Sequence, residues 1–235
     1  MIRRMTVMEA EKTKEPQYQV QVEFKKKRGL TKLGVKTNAD WHDDPRRLLF
    51  VMSRYKFVSK MLSGKDKVLE VGCGDAFSTR IVLQEVGSIT AIDFDPLFVK
   101  EVNNLMDQDW KVQCFEHDIL EAPVRGAPFS AAYSLDVIEH IAKEEEETYL
   151  TNIAKSLSSD GVLIVGSPSL ESQPHASQQS RIGHINCKSA KDLKTLMEKY
   201  FQNVFIFSMN DELVHTGYYP MAHYLFGVGV GVKSV

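Results

Sequence analysis

Several things are scarce in this chain of 235 residues. Cysteine occurs three times, at Cys73, Cys114 and Cys187. That is too few, and too widely spaced, for a disulfide framework or a zinc pattern, and reduced thiols in a cytoplasmic protein are the expectation. No apolar run approaches the roughly 20 residues that a membrane helix needs, so no membrane partner is expected. The opening MIRRMTVMEAEK has no apolar stretch of the kind a signal peptide carries. Charge of one sign is lacking too: the net value of −2 provides no global field to recruit nucleic acid or anionic lipid. The one basic run, Lys25-Lys26-Lys27-Arg28, reads as a solvated turn before it reads as a phosphate patch.

What is present suits one α/β domain. An apolar share of 43% and a charged share of 26% are those of an ordinary soluble protein with a real core. Residues 1–44 are polar and charged and read as an extended N-terminal arm able to serve as a substrate lid. Asp44-Pro45 then opens a helix, with apolar residues from Leu48 to Leu62 at helical spacing and Gly64 ending it. From there short apolar strands alternate with helices. Strands are predicted at 68–71, 89–92, 112–115, 129–134, 162–165, 204–207 and 221–232, and helices at 78–86, 96–106, 143–157 and 190–200. This rhythm predicts a doubly wound, mostly parallel, seven-stranded sheet with helices on both faces, in a domain spanning 45–235. Ligands in such a sheet bind beyond the carboxyl ends of its strands. A Ser-, Gln- and His-rich stretch at about 167–190 leaves that end of the sheet and reads as a lid.

The stretch Val68-Leu-Glu-Val-Gly-Cys-Gly-Asp-Ala-Phe77 is a strand running into a glycine turn. A dinucleotide fingerprint would carry a third glycine, where this turn has Phe77. The acid that holds a ribose is nevertheless in place, as Asp93 at the end of the next strand. Glu70 and Asp75 flank the turn and would repel a pyrophosphate. A cationic nucleoside without phosphate, such as S-adenosylmethionine (SAM), fits those charges better.

These residues resemble the class I SAM-dependent methyltransferases. The first motif of that family, E/D-x-G-x-G-x-G, is met by Glu70, Gly72 and Gly74, with Ala76 in place of the third glycine. The second is met by Asp93-Phe94-Asp95, the third by Asp118-Ile119, and the fourth by Ser134-Leu-Asp136-Val-Ile-Glu139-His140. The resemblance implies a cofactor site built from Glu70, Gly72, Cys73, Gly74, Asp93, Phe94, Asp118, Ile119 and Ser134. In it Asp93 takes the ribose, Asp118 the adenine amino group, and Phe94 and Ile119 the adenine faces. It also implies an arginine or tyrosine from the helix before the sheet on the SAM carboxylate, with Arg54 the first choice among Arg46, Arg47, Arg54 and Tyr55.

The acceptor side is less marked. No Asn-Pro-Pro-Tyr or Asp-Pro-Pro-Tyr stretch follows the fourth strand, which within the family favours oxygen over nitrogen as acceptor. Asp136, Glu139 and His140 would share one face if a helix begins there. The stretch is similar to the E-x-x-E-H of the ubiquinone-pathway O-methyltransferases and the small-RNA 2′-O-methyltransferases, which use a divalent metal. A metal here would take Asp136, Glu139, His140 and the downstream His184. Because the first acid is Asp, metal-free catalysis is favoured, with His140, His184 and Asp136 as the catalytic candidates. Trp41 to Asp44 and His215 to Tyr219 are further candidates to line the acceptor side. The expected reaction is O-methylation of a small, polar, hydroxylated molecule. RNA 2′-O-methylation, and a SAM-binding partner subunit without chemistry of its own, are the alternatives.

Overall fold

The computed structural model describes residues 11–107 and 109–234; the first ten residues of the expected arm lie outside the described residues. The described chain forms two compact units, meeting at Lys32 and Leu33. The smaller holds a short 3-10 turn, Pro16–Tyr18, and helix α1, Gln19–Arg28. The arm is therefore helical here, not extended, and Lys25 to Arg28 form its last turn instead of a loop. Cations at a helix C-terminus complement the helix dipole.

The larger unit begins at Leu33, earlier than the boundary expected at residue 45, because a second helix folds with it. This is α2, Val35–Asp43. Its local sequence carries no capping side chain. The caps arrive from far along the chain: Thr37 N–H donates to Asp75 Oδ2 at 2.7 Å and Val35 N–H to Glu101 Oε2 at 3.0 Å. Two carboxylates thus satisfy amides that a helix start leaves free. Helix α3, Arg46–Met61, follows, with the Asp44 carboxylate accepting from Arg46 N–H at its entry.

Strands and helices then alternate as the pattern predicts. They are β1 Lys67–Val71, α4 Thr79–Val82, β2 Ser88–Asp93, α5 Pro96–Leu105, β3 Val112–Glu116, β4 Phe129–Leu135, α6 Glu146–Ser156 and β5 Leu157–Pro168. After the lid, which contains α7 Gln178–Gly183, come α8 Ala190–Met197, β6 Phe201–Asn210, β7 Leu213–His215 and β8 Tyr224–Val232. Helix α4 is a single turn where a longer helix was expected; beyond it Gln84 and Glu85 continue in i→i+3 bonds.

Among the described residues the sheet has eight strands, not seven, in the order β3-β2-β1-β4-β5-β8-β6-β7. The additional strand is β7, a short hairpin partner of β6. Strands β1 to β5 run parallel, and β8 inserts antiparallel between β5 and β6. Its alternating glycines have a packing reason: a Cβ at Gly229 would lie 2.5 Å from the Phe201 ring. The order of connection reverses between β1 and β4, so the crevice for a ligand opens at their carboxyl ends. A buried apolar core covers each sheet face, one under α6 and α8 and the other under α3 and α4.

Candidate active site

A cavity of about 630 Å³ opens where the fold predicts it. Its floor is the end of β1 and the turn Gly72-Cys73-Gly74, and its walls are the ends of β2 and β4 and the segment after β3. Gly72 has φ +74° and Gly74 φ +52°, backbone that side-chain-bearing residues rarely adopt. A Cβ on Gly72 would come within 2.3 Å of a Val137 methyl, so no larger residue fits. Ala76, in the place of the third glycine, also takes a left-handed φ, +50°, and is buried.

Asp93 closes β2 and is nearly buried. One of its oxygens accepts from Gly74 N–H at 2.8 Å and the other from Asp95 N–H at 3.0 Å. The carboxylate therefore fixes the glycine turn and retains lone pairs for a ligand in the cavity. Asp118 and Ile119 line the same cavity beyond β3, with Asp118 Oδ1 accepting from Leu120 N–H at 2.8 Å. Phe94 lines it while 73% exposed, a large apolar face without a protein neighbour to cover it. Gly72, Cys73, Gly74, Asp93, Phe94, Asp118 and Ile119 thus share one cavity.

Glu70, Ser134 and Arg54 do not line it. The Ser134 hydroxyl donates to Val71 C=O at 3.0 Å, tying β4 to β1. Glu70 is buried and accepts from Tyr55 O–H at 2.8 Å and Thr79 O–H at 2.6 Å. Burial raises its pKa to about 7, against the pull of the Thr79, Tyr55 and Tyr133 hydroxyls. Arg54 turns away to Asp136, with Nη1 2.9 and 2.7 Å from the two carboxylate oxygens, and stacks 3.9 Å over the Tyr224 ring. Sequence reasoning missed α2, whose Lys36, Thr37 and Asp40 reach the cavity; its polar composition resembled that of an arm.

The expected helix through Asp136 does not form. Asp136 has φ +57°, its N–H donates to Gly166 C=O, and only a short 3-10 turn, Ile138–His140, follows. The break sends Asp136 to Arg54 and leaves it out of the group of ligating atoms formed by its neighbours. Glu139, His140 and His184 come together instead, with one ligating atom of each within 4.8 Å of the others. His140 is also part of the cavity wall, so this cluster adjoins the glycine-turn site.

The lid holds the cluster in place. Ile185 and Asn186 N–H both donate to the Glu139 C=O, and Lys188 and Asn186 are bound to Glu146 on α6. His140 Nδ1 lies 2.8 Å from Gly183 C=O and His184 Nδ1 lies 3.0 Å from Gln173 Oε1. Gln173 donates its amide nitrogen to Ser169 C=O, so its oxygen faces His184. Each acceptor oxygen calls for a proton on the Nδ1 that faces it, and in a neutral ring Nε2 then carries the lone pair. The His184 pKa is lowered by burial and by the neighbouring His140, which keeps the ring neutral. Glu139 is fully buried, and among the described residues neither carboxylate oxygen has a hydrogen-bond partner. Burial and then the Asp136 charge push its pKa well up. Gln173 had no motif to mark it. Trp41 and residues 215–219 do not line the cavity.

Comparison with known proteins finds methyltransferases. Residues 68–161 match a family model described as a methyltransferase domain. The ubiquinone biosynthesis O-methyltransferase of Xylella fastidiosa (strain 9a5c) is 29% identical over 122 residues, covering 48% of this chain and 48% of that protein. The chain thus aligns with about half the length of the curated relatives it matches. In fold it is similar to the methyltransferase domain of a bacterial Hen1 protein, at TM-score 0.64 and 19% identity over 77% of this chain and 99% of that one. It is also similar to the N-methyltransferase NodS of Bradyrhizobium japonicum WM9 in complex with S-adenosylhomocysteine (SAH), at TM-score 0.57 and 17% identity over 80% and 89%.

Proposed function

We propose that the chain is a class I SAM-dependent methyltransferase and that it methylates a hydroxyl oxygen of a small polar acceptor in the cytoplasm. The observation that carries the reading is the adjacency of two sites. The glycine turn with Asp93 and Asp118 suits a cationic nucleoside, and the Glu139–His140–His184 cluster meets the same cavity at His140. Bound SAM supplies an activated methyl group on a sulfonium. The residues fit it: Gly72 and Gly74 leave the backbone bare, Asp93 has lone pairs for the ribose hydroxyls, Asp118 accepts from the adenine amino group, and Phe94 and Ile119 flank the ring.

The transfer is an in-line displacement in which the acceptor oxygen forms the new bond to carbon as the carbon–sulfur bond breaks. A hydroxyl must lose its proton on the way, and a neutral imidazole is the group that takes it near pH 7. His184 Nε2 has that state, and Gln173 holds the ring to it. Asp136 lines the cavity beside the cluster, anchored by Arg54. The lid of residues 167–190, rich in serine, glutamine and histidine, suits a polar acceptor.

A second reading of the cluster is favoured by its donors. A ring nitrogen from each of two imidazoles and a buried carboxylate without a hydrogen-bond partner among the described residues come within 4.8 Å of one another, which is a donor set for a divalent cation more than for a single base. Glu139, His140 and His184 would hold it. It would supply Lewis acidity toward the acceptor hydroxyl. The sequence reading favoured metal-free catalysis; this geometry argues for the alternative, without Asp136 as a ligand.

The test is SAH release over a panel of hydroxylated metabolites, run with and without a chelator. Turnover on at least one hydroxyl acceptor is expected. Turnover confined to amine acceptors would overturn the oxygen assignment, and full activity after exhaustive chelation would remove the cation. An RNA acceptor would instead show binding that weakens steeply with salt.

A further inference from the structure

Cys73 stands between Gly72 and Gly74, where the turn after β1 folds across the end of β2. Gly72 and Cys73 N–H both donate to the Ile92 C=O, at 2.9 and 3.0 Å. This carries the Cys73 side chain past β2 toward β3. Cys114 lies on β3 in register with Ala91 of β2. Ala91 has only a methyl group to place between them, and the two sulfurs are 3.8 Å apart. Cys73 is buried and lines the cofactor cavity, whereas Cys114 is half-buried.

We propose that Cys73 and Cys114 form an oxidisable dithiol site, and that its closure to a disulfide weakens SAM binding. The proposal rests on the cofactor reading above. The oxidant class is a peroxide. Cys114, the more open thiol, attacks the peroxide oxygen and becomes a sulfenic acid as the first water leaves. Cys73 then attacks the Cys114 sulfur, the sulfur–oxygen bond breaks, and a second water leaves. Overall two thiols lose two electrons and two protons, and one hydrogen peroxide becomes two waters. Contact with Cys114 and burial push the Cys73 thiol pKa up, which disfavours it as the thiol that meets the peroxide and leaves the first step to Cys114.

The link to binding is geometric. A disulfide requires the sulfurs to close from 3.8 Å to about 2 Å. Cys73 must move toward β3, and it takes its neighbours with it. Gly74 N–H is tied to Asp93, the proposed ribose ligand. Gly72 packs against Val137 without room for one methyl group. The turn therefore distorts at the two glycines that give the cofactor its approach. Linkage requires the converse: bound SAM must resist closure.

The test uses a Cys187→Ser protein, which removes the third thiol. SAM binding is measured by calorimetry before and after hydrogen peroxide, and peptides are mapped by mass spectrometry. The expected result is a Cys73–Cys114 cross-link, at least tenfold weaker SAM binding, and recovery on reduction. Adding Cys114→Ser abolishes the loss, and saturating SAM slows cross-linking severalfold in the parent protein, a readout that needs no second variant. Absence of the cross-link, a cross-link with unchanged affinity, or a rate indifferent to SAM overturns the proposal. Failure of the cofactor reading is seen separately, as a reduced protein that does not bind SAM.

Discussion

Glu70 and Glu139 are two carboxylates removed from water at the carboxyl ends of neighbouring strands, and they are held in opposite ways. Glu70 is met by two hydroxyls, from Tyr55 on α3 and Thr79 on α4. Those bonds join three elements behind the glycine turn. Glu139 has no hydrogen-bond donor on its carboxylate among the described residues; a ring nitrogen of His140 and one of His184 lie within 4.8 Å, and the Asp136 and Arg54 charges act on it. Burying an acid without a partner costs free energy that folding alone does not return. A satisfied buried acid supports structure; an unsatisfied one beside a cavity marks the place where something binds or reacts.

Replacement of either acid should separate the two roles. Glu139→Gln is expected to lower turnover on an accepted substrate by on the order of a thousandfold, in the range of lost acid–base or cation assistance. Its melting temperature should be little changed, since no hydrogen bond to the carboxylate is lost. A loss of stability with turnover intact would reverse the assignment.

Glu70 should act on stability and its pH dependence instead. Its folded pKa of about 7 lies above the ordinary 4.5, so the folded state binds the proton more tightly than the unfolded. The stabilisation is full below pH 4.5 and is lost as pH rises through about 7. The total is on the order of 3 kcal/mol. Denaturant titrations of wild type and Glu70→Gln across that window should diverge accordingly, and parallel curves would show that Glu70 titrates normally. Tyr55→Phe removes one donor and should cost about 1–2 kcal/mol by the same titration. The smallest effect concerns the turn that follows Glu70. Ala76→Gly relieves a left-handed alanine and should stabilise by no more than about 1 kcal/mol. A clear destabilisation would mean that the Ala76 methyl group contributes more packing than strain.

The same contrast explains what the sequence disclosed. The parallel strands, the glycine turn, Asp93 and Asp118 were legible because each sits at a fixed offset from a strand end, within one local pattern. The rest depends on partners remote in sequence. Helix α2 reads as an arm until Asp75, 38 residues away, and Glu101, 66 residues away, cap it. Arg54 reads as a SAM ligand until Asp136, 82 residues away, claims it. The stretch from Asp136 to His140 reads as one helical face until a positive φ at Asp136 turns the chain. Glu70, read as a cofactor ligand from the motif it begins, points behind the turn because a β-strand alternates its faces.

On the proposed reading SAM is bound by the glycine turn and Asp93, beside and separable from the Glu139 cluster. Calorimetric titration with SAM of wild type, Asp93→Ala and Glu139→Gln tests it most directly. One SAM per chain is predicted for wild type, binding at least a hundredfold weaker for Asp93→Ala, and affinity within about threefold of wild type for Glu139→Gln. A wild-type protein silent to SAM, or an Asp93→Ala protein that binds it equally well, would contradict the claim.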